Sequence, residues 1–132
     1  MKKKILIVDD EPHIVSALSS RLTKAGYEVS IAYDAMQGVR IAHQDKPDLI
    51  ILDMRMPAGG GMGVFENLKS STHTALIPVI FITSYSNEQI KNEVLEKGAF
   101  DFISKPFDGA ELMNKITKAL GESNGGTSTK DQ

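Results

Sequence analysis

Short β-branched runs alternate with longer amphipathic segments five times along this chain, and that rhythm limits the fold more than any other feature. Runs of this kind separated by helical patterns read as βα units around a parallel sheet. Five such units are too few for an eightfold barrel, and right-handed crossovers then lead to an open, doubly wound sheet with helices on both faces. The expected strand order is 2-1-3-4-5. In that order the topological switch falls between the first and third strands, whose carboxyl ends border the crevice where open sheets bind ligands.

The elements can be placed residue by residue. Strands are expected over Lys4 to Asp9, Tyr27 to Tyr33, Asp48 to Asp53, Pro78 to Thr83 and Ala99 to Ser104. The third is almost wholly apolar, as a central strand covered on both faces should be. Between Pro12 and Ala25, the residues Ile14, Val15, Leu18, Leu22 and Ala25 share one helical stripe, and Gly26 supplies a left-handed stop. Asp34-x-x-Gln37 opens a second helix that Pro47 closes, and a third is expected from Met62 to Ser70. Ser86-x-x-Gln89 caps a fourth, which ends at Gly98. Asp108-x-x-Glu111 opens the last, with Leu112, Met113, Ile116, Ala119 and Leu120 facing inward. Residues 1–121 form one expected domain. Residues 122–132, which hold no large apolar side chain, read as a flexible tail or the start of a linker.

Four of the strands end on, or just before, a residue that handles phosphate: Asp9 and Asp10, Asp53, Thr83, and Lys105. Three carboxylates, a hydroxyl and an ammonium at one sheet edge suit a divalent cation together with a phosphoryl group. Singly, each has a plainer reading. Asp10 or Glu11 can cap the first helix with Pro12 at its first position, Thr83 can be an ordinary strand-end residue, and Lys105 a solvated side chain before a turn. Their combination with Asp53 reverses the balance.

Composition removes several function classes. The 132 residues fit one domain, and 41% hydrophobic and 24% charged residues with a formal net charge of -2 give no general attraction to nucleic acid. No direct nucleic-acid binding is expected. The absence of cysteine rules out disulfides and thiolate chemistry. Met1-Lys2-Lys3-Lys4 is followed by an apolar run of only Ile5 to Val8, too short for a signal core or a membrane span. No membrane insertion and a cytoplasmic location are the expectations. His13, His43 and His73 are scattered and expected to face solvent rather than to bind metal or donate a phosphoryl group. Gly59-Gly60-Gly61 lacks the downstream Lys-Ser/Thr of a nucleotide loop and reads as a flexible connector.

Taken together, Asp9-Asp10, Asp53 followed by Met56-Pro57, Thr83, and Lys105-Pro106-Phe107 resemble the receiver domain of two-component response regulators, over Lys3 to about Leu120. The resemblance implies a flavodoxin-like (βα)5 fold of the chemotaxis-regulator type and a phosphoacceptor that catalyses its own phosphorylation and dephosphorylation at Asp53. It implies Mg2+, with Mn2+ as a substitute, held by Asp9, Asp10, Asp53 and the backbone carbonyl of Arg55. The Ser84 amide, the Thr83 hydroxyl and Lys105 would meet phosphoryl oxygens, and the Lys105-Pro106 bond would be cis. Thr83 would then couple to Phe102, either a switch aromatic or a fixed core residue, on the face of the fourth helix, fifth strand and fifth helix. Arg55 and Tyr85 flank the phosphoryl position and are expected to prolong the phosphorylated state.

The implied partners are a histidine kinase or a histidine phosphotransfer protein, met through Pro12, His13, Ile14 and Pro106, and a second copy of the chain on phosphorylation. Two other functions compete. One is a receiver-like scaffold that acts without phosphate, which the intact acidic set opposes. The other is a haloacid-dehalogenase-type phosphatase, whose nucleophile stands in a DxD motif at the first strand, where this chain has Asp9-Asp10-Glu11.

Overall fold

The computed structural model describes residues 2–56, 60–84 and 87–122. Strands and helices alternate throughout: β1 (Lys4–Val8), α1 (Pro12–Lys24), β2 (Glu28–Ala32), α2 (Ala35–Asp45), β3 (Leu49–Asp53), α3 (Gly60–Lys69), β4 (Val79–Thr83), α4 (Glu88–Glu96), β5 (Asp101–Ser104) and α5 (Gly109–Ala119). The strands form one parallel sheet in the order β2-β1-β3-β4-β5, as the rhythm of the sequence predicts. β3 is therefore central, and all five of its residues are buried.

Side-chain alternation along the strands divides the interior in two. Ile5, Ile7, Ile51 and Ile80 pack beneath Val15, Leu18 and Leu22 of α1 and Leu112 and Ile116 of α5. The opposite face carries Leu6, Val8, Leu52 and Phe81 beneath Ala42 of α2, Val64, Phe65 and Leu68 of α3 and Val94 of α4. Phe65 meets Phe81 edge-on at 5.2 Å between ring centres. Burying each large aliphatic or aromatic side chain contributes about 1.5–3 kcal/mol, so this double core holds the strand ends in fixed relation.

Local differences from the sequence reading have local causes. α3 begins at Gly60 rather than Met62, because the glycines pack against the end of β3. Asn87, not Ser86, is the N-cap of α4, and its side chain accepts from the Ile90 amide. On α5, Leu112 and Ile116 are buried, whereas Met113, Ala119 and Leu120 pack only partly against the core. Glu122 stays with the domain: its amide donates to the Thr117 carbonyl at 2.8 Å and its carboxylate accepts from the Tyr27 hydroxyl at 2.8 Å. The remainder of the expected tail lies outside the described residues. Among the described residues no helix is long and apolar enough to cross a membrane.

Candidate functional site

Backbone ladders that run past the strand ends set the positions of the polar side chains. Beyond β1, the Asp9 amide donates to the Ala32 carbonyl at 3.1 Å, which holds Asp9 in line with the strand. Beyond β5, the Lys105 amide donates to the Thr83 carbonyl at 2.8 Å. Asp53 and Thr83 are the last residues of β3 and β4. Thr83 pairs in register with Ser104, just before the cis Lys105-Pro106 bond. The sheet edge thus brings together residues scattered over almost the whole domain.

Asp9 and Thr83 are fully buried and Asp53 is nearly so, whereas Asp10 is exposed. One oxygen from each of Asp9, Asp10 and Asp53 can be chosen so that all lie within 4.8 Å of one another. Lys105 Nζ lies 3.0 Å from Asp9 Oδ2, 3.6 Å from Asp53 Oδ1 and 2.6 Å from Glu11 Oε1. Asp9 Oδ1 accepts from the Glu11 amide at 2.9 Å, and Asp53 Oδ1 from the Arg55 amide at 3.2 Å. Asp9 Oδ2, although near the ammonium, makes no hydrogen bond. A buried carboxylate oxygen without a hydrogen bond, beside two more carboxylates, is a hard oxygen donor set of the kind that Mg2+ takes. The residues present fit that ion.

The electrostatics follow from crowding like charges in a poorly solvated place. Burial, then the Asp9 charge, push the Asp53 carboxyl up to about 6, against the Arg55 amide and Lys105, which favour ionisation. For Lys105 burial favours the neutral form, but the contacts with Glu11 and Asp9 outweigh it and its pKa rises. The Glu11 carboxyl is held below its ordinary value, chiefly by the hydrogen bond from Lys105.

The other expected site residues are placed as follows. Ser84 and Arg55 are exposed beside the strand ends that carry Thr83 and Asp53. Phe102 is 4% exposed and belongs to the core on the α4 side of the sheet. Tyr85, Pro57 and Gly59 lie outside the described residues. Gly60 and Gly61 are not a flexible connector: both are buried in the first turn of α3, and the Gly61 amide donates to the Met54 carbonyl at 3.2 Å. His13 and His73 are exposed, but His43 is half-buried, with Nε2 3.3 Å from Asn67 Oδ1 of α3.

Glu11 is the residue that sequence reasoning missed. Read there as a cap, it stands at the N-cap of α1 yet makes no side-chain cap bond, and its carboxylate turns to Lys105 instead. Nothing in local sequence marks a contact between residues 94 apart.

A family model of the response regulator receiver domain matches residues 5–117. The chain is 38% identical over 117 residues to the DNA-binding dual master transcriptional regulator RpaA of Synechocystis sp., an overlap of 89% of this chain and 48% of that protein. It spans about half the length of the curated relatives it matches. Among solved structures, the CheY-like receiver domain protein of Methanospirillum hungatei superposes with a TM-score of 0.84 at 29% identity, covering 92% of this chain and 95% of that one. Chemotaxis protein CheY4 of Vibrio cholerae gives 0.85 at 28% identity, covering 91% and 100%.

Proposed function

The chain belongs to the response regulator receiver domain family, and from that premise we propose that Asp53 is the residue that accepts a phosphoryl group from phosphohistidine. A phosphoacceptor role in two-component signalling, with a histidine kinase as partner, comes with family membership. The observation that carries the choice of residue is the buried Asp53 carboxylate, set at the end of the central strand among Asp9, Asp10 and Lys105.

The attacking oxygen is a carboxylate oxygen of Asp53, which forms a bond to phosphorus as the bond from phosphorus to the histidine nitrogen breaks and the imidazole leaves. No general base is required once Asp53 is ionised, which its pKa of about 6 allows at neutral pH. The obstacle is repulsion between two anions. Asp9, Asp10 and Asp53 would hold Mg2+, with Mn2+ as a substitute and the Arg55 carbonyl as a further ligand; when bound, the ion supplies positive charge between nucleophile and phosphoryl group. Lys105 adds an ammonium 3.6 Å from Asp53 Oδ1, and the Thr83 hydroxyl and Ser84 amide would donate to phosphoryl oxygens.

The aspartyl phosphate carries roughly -1.5 to -2 of charge at a buried position where the ionised carboxylate carried about -1, and it adds three acceptor oxygens, enough to bias a two-state element. Our reading is that Thr83 moves toward it and Phe102 follows. A groove of about 310 Å³ beside Phe102, bordered by Asn87, Lys91, Ser104, Glu111 and Lys115, supports a responsive face there. A second copy is the proposed occupant on phosphorylation. Arg55 and Tyr85 would shield the acyl phosphate from water, and Arg55→Ala should shorten its lifetime. Exposed Pro12, His13 and Pro106, beside half-buried Ile14, border the site on the side from which we propose that the donor histidine approaches. The DNA binding named for RpaA belongs to a protein of which this chain covers 48%, and none is assigned to these residues.

The test is incubation with acetyl phosphate and Mg2+ followed by intact mass. The parent should gain one phosphoryl group and Asp53→Asn none. A gain that persists in Asp53→Asn, or its absence in the parent, overturns the assignment.

A further inference from the structure

We propose that Glu11 is a positioning residue that holds the Lys105 ammonium away from Asp53 and so keeps the carboxylate cluster open to Mg2+; this rests on the reading of the cluster as a divalent-cation site. Lys105 can face three carboxylates, and its shortest contact is to the most exposed of them: 2.6 Å to Glu11, against 3.0 Å to Asp9 and 3.6 Å to Asp53. Apart from Lys105, the Glu11 carboxylate reaches only the exposed His13 ring, with Oε2 3.9 Å from Nε2, so the contact with Lys105 is its main one. Glu11 stands at the N-cap of α1 without a side-chain cap bond, and the turn is already secured by Asp9 Oδ1 and the Glu11 amide.

The Lys105 side chain is 6% exposed, so its ammonium has little water to fall back on. Deprived of Glu11, it would be drawn toward the remaining carboxylates, where attraction in a poorly solvated place is strong. A lysine closed onto Asp53 and Asp9 neutralises the oxygens that would ligate the cation. Mg2+ would then have to displace it. Glu11 thus gives the lysine a second position, from which it can serve an incoming phosphoryl group without blocking the metal.

Loss of one nearby negative charge would also weaken Mg2+ binding, so the test must separate a contact through Lys105 from a field effect. Mg2+ affinity is measured by calorimetry in the parent, Glu11→Gln, Lys105→Ala and the double variant, at about 0.5 M KCl, where the field of an exposed charge is largely screened. The expected result is that Glu11→Gln raises the Mg2+ dissociation constant about tenfold when Lys105 is present and about twofold or less in Lys105→Ala, a coupling of the size that residues in direct contact show. Equal factors in the two backgrounds, or no change in either, overturn the proposal. Failure of the parent to bind Mg2+ overturns the cation-site reading instead. Binding is read directly, so the outcome does not depend on whether Asp53 is phosphorylated. Circular dichroism of Glu11→Gln, expected to match the parent, shows that α1 is intact.

Discussion

A Cβ placed on Gly61 would collide with the backbone carbonyl oxygen of Asp53, so the first turn of α3 rests directly on the end of β3. The same Cβ would stand 2.9 Å from Met54 Cα, and that backbone has nowhere to go inside the core. Gly61→Ala should therefore lower stability by about 1–3 kcal/mol or more, as overpacking does, and slow phosphorylation by shifting Asp53. Gly63 is the internal control: it is exposed in the same helix with nothing within 4 Å of its would-be Cβ. Gly63→Ala should add about 0.5–1 kcal/mol by helix propensity. Urea midpoints that move together for the two variants would contradict this account.

The Asp53 carboxyl gives stability an inverted pH dependence. Burial first, then Asp9, raise its pKa in the folded protein to about 6, whereas in the unfolded chain it ionises near the usual value of about 3.9. Between those two points the folded state binds more protons than the unfolded, so the Asp53 contribution to stability falls as pH rises through the interval. At neutral pH the ionised group costs on the order of 1–3 kcal/mol in the absence of metal. Asp53→Asn should raise the Tm of the metal-free protein by several degrees at pH 7 and by little at pH 4. Mg2+ should stabilise the parent more than the variant at pH 7. Equal Tm values for parent and variant at pH 7 without metal would show that Asp53 is not strained by its charge.

Much of this architecture was legible because it is periodic or terminal. β-Branched runs at regular intervals gave the order of the sheet, and Asp53, Thr83 and Lys105 announce themselves as polar residues closing apolar runs. Gly60 and Gly61 were misread because intrinsic propensity argues against glycine in a helix, whereas close approach to Met54 and Asp53 permits nothing larger. The Glu11–Lys105 pair was invisible because it joins the ends of β1 and β5, which only the assembled sheet brings together.

The cap of α4 was displaced by one residue for a related reason. Ser86 and Asn87 are both good caps, and the sequence alone does not rank adjacent candidates. Asn87 has the extended backbone of an N-cap, and its side chain accepts from the Ile90 amide at 2.8 Å. Asn87→Ala should cost about 0.5–2 kcal/mol, and Asn87→Asp should retain most of that stability. Hydrogen exchange should report the loss locally, at the first-turn amides of α4. Unchanged exchange at Ile90 in Asn87→Ala would remove Asn87 from the role.

Tyr27 and Glu122 join the start of β2 to the end of the domain, with the phenol donating to Glu122 Oε1 at 2.8 Å. Burial first, then Glu122, push the Tyr27 pKa up to about 12. Because the fold favours the protonated phenol, its contribution to stability is fully present below about pH 10, where a free tyrosine ionises, and is lost as pH rises toward 12. The chain has three tyrosines and no tryptophan, so phenolate absorbance follows this directly. Absorbance should still be climbing near pH 12 in the parent, and Tyr27→Phe should delete that last step. Glu122→Gln should move the step to lower pH without abolishing it, since burial is the larger cause. A titration of Tyr27→Phe that keeps the late step would assign it to another tyrosine and break the proposed tie between β2 and residue 122.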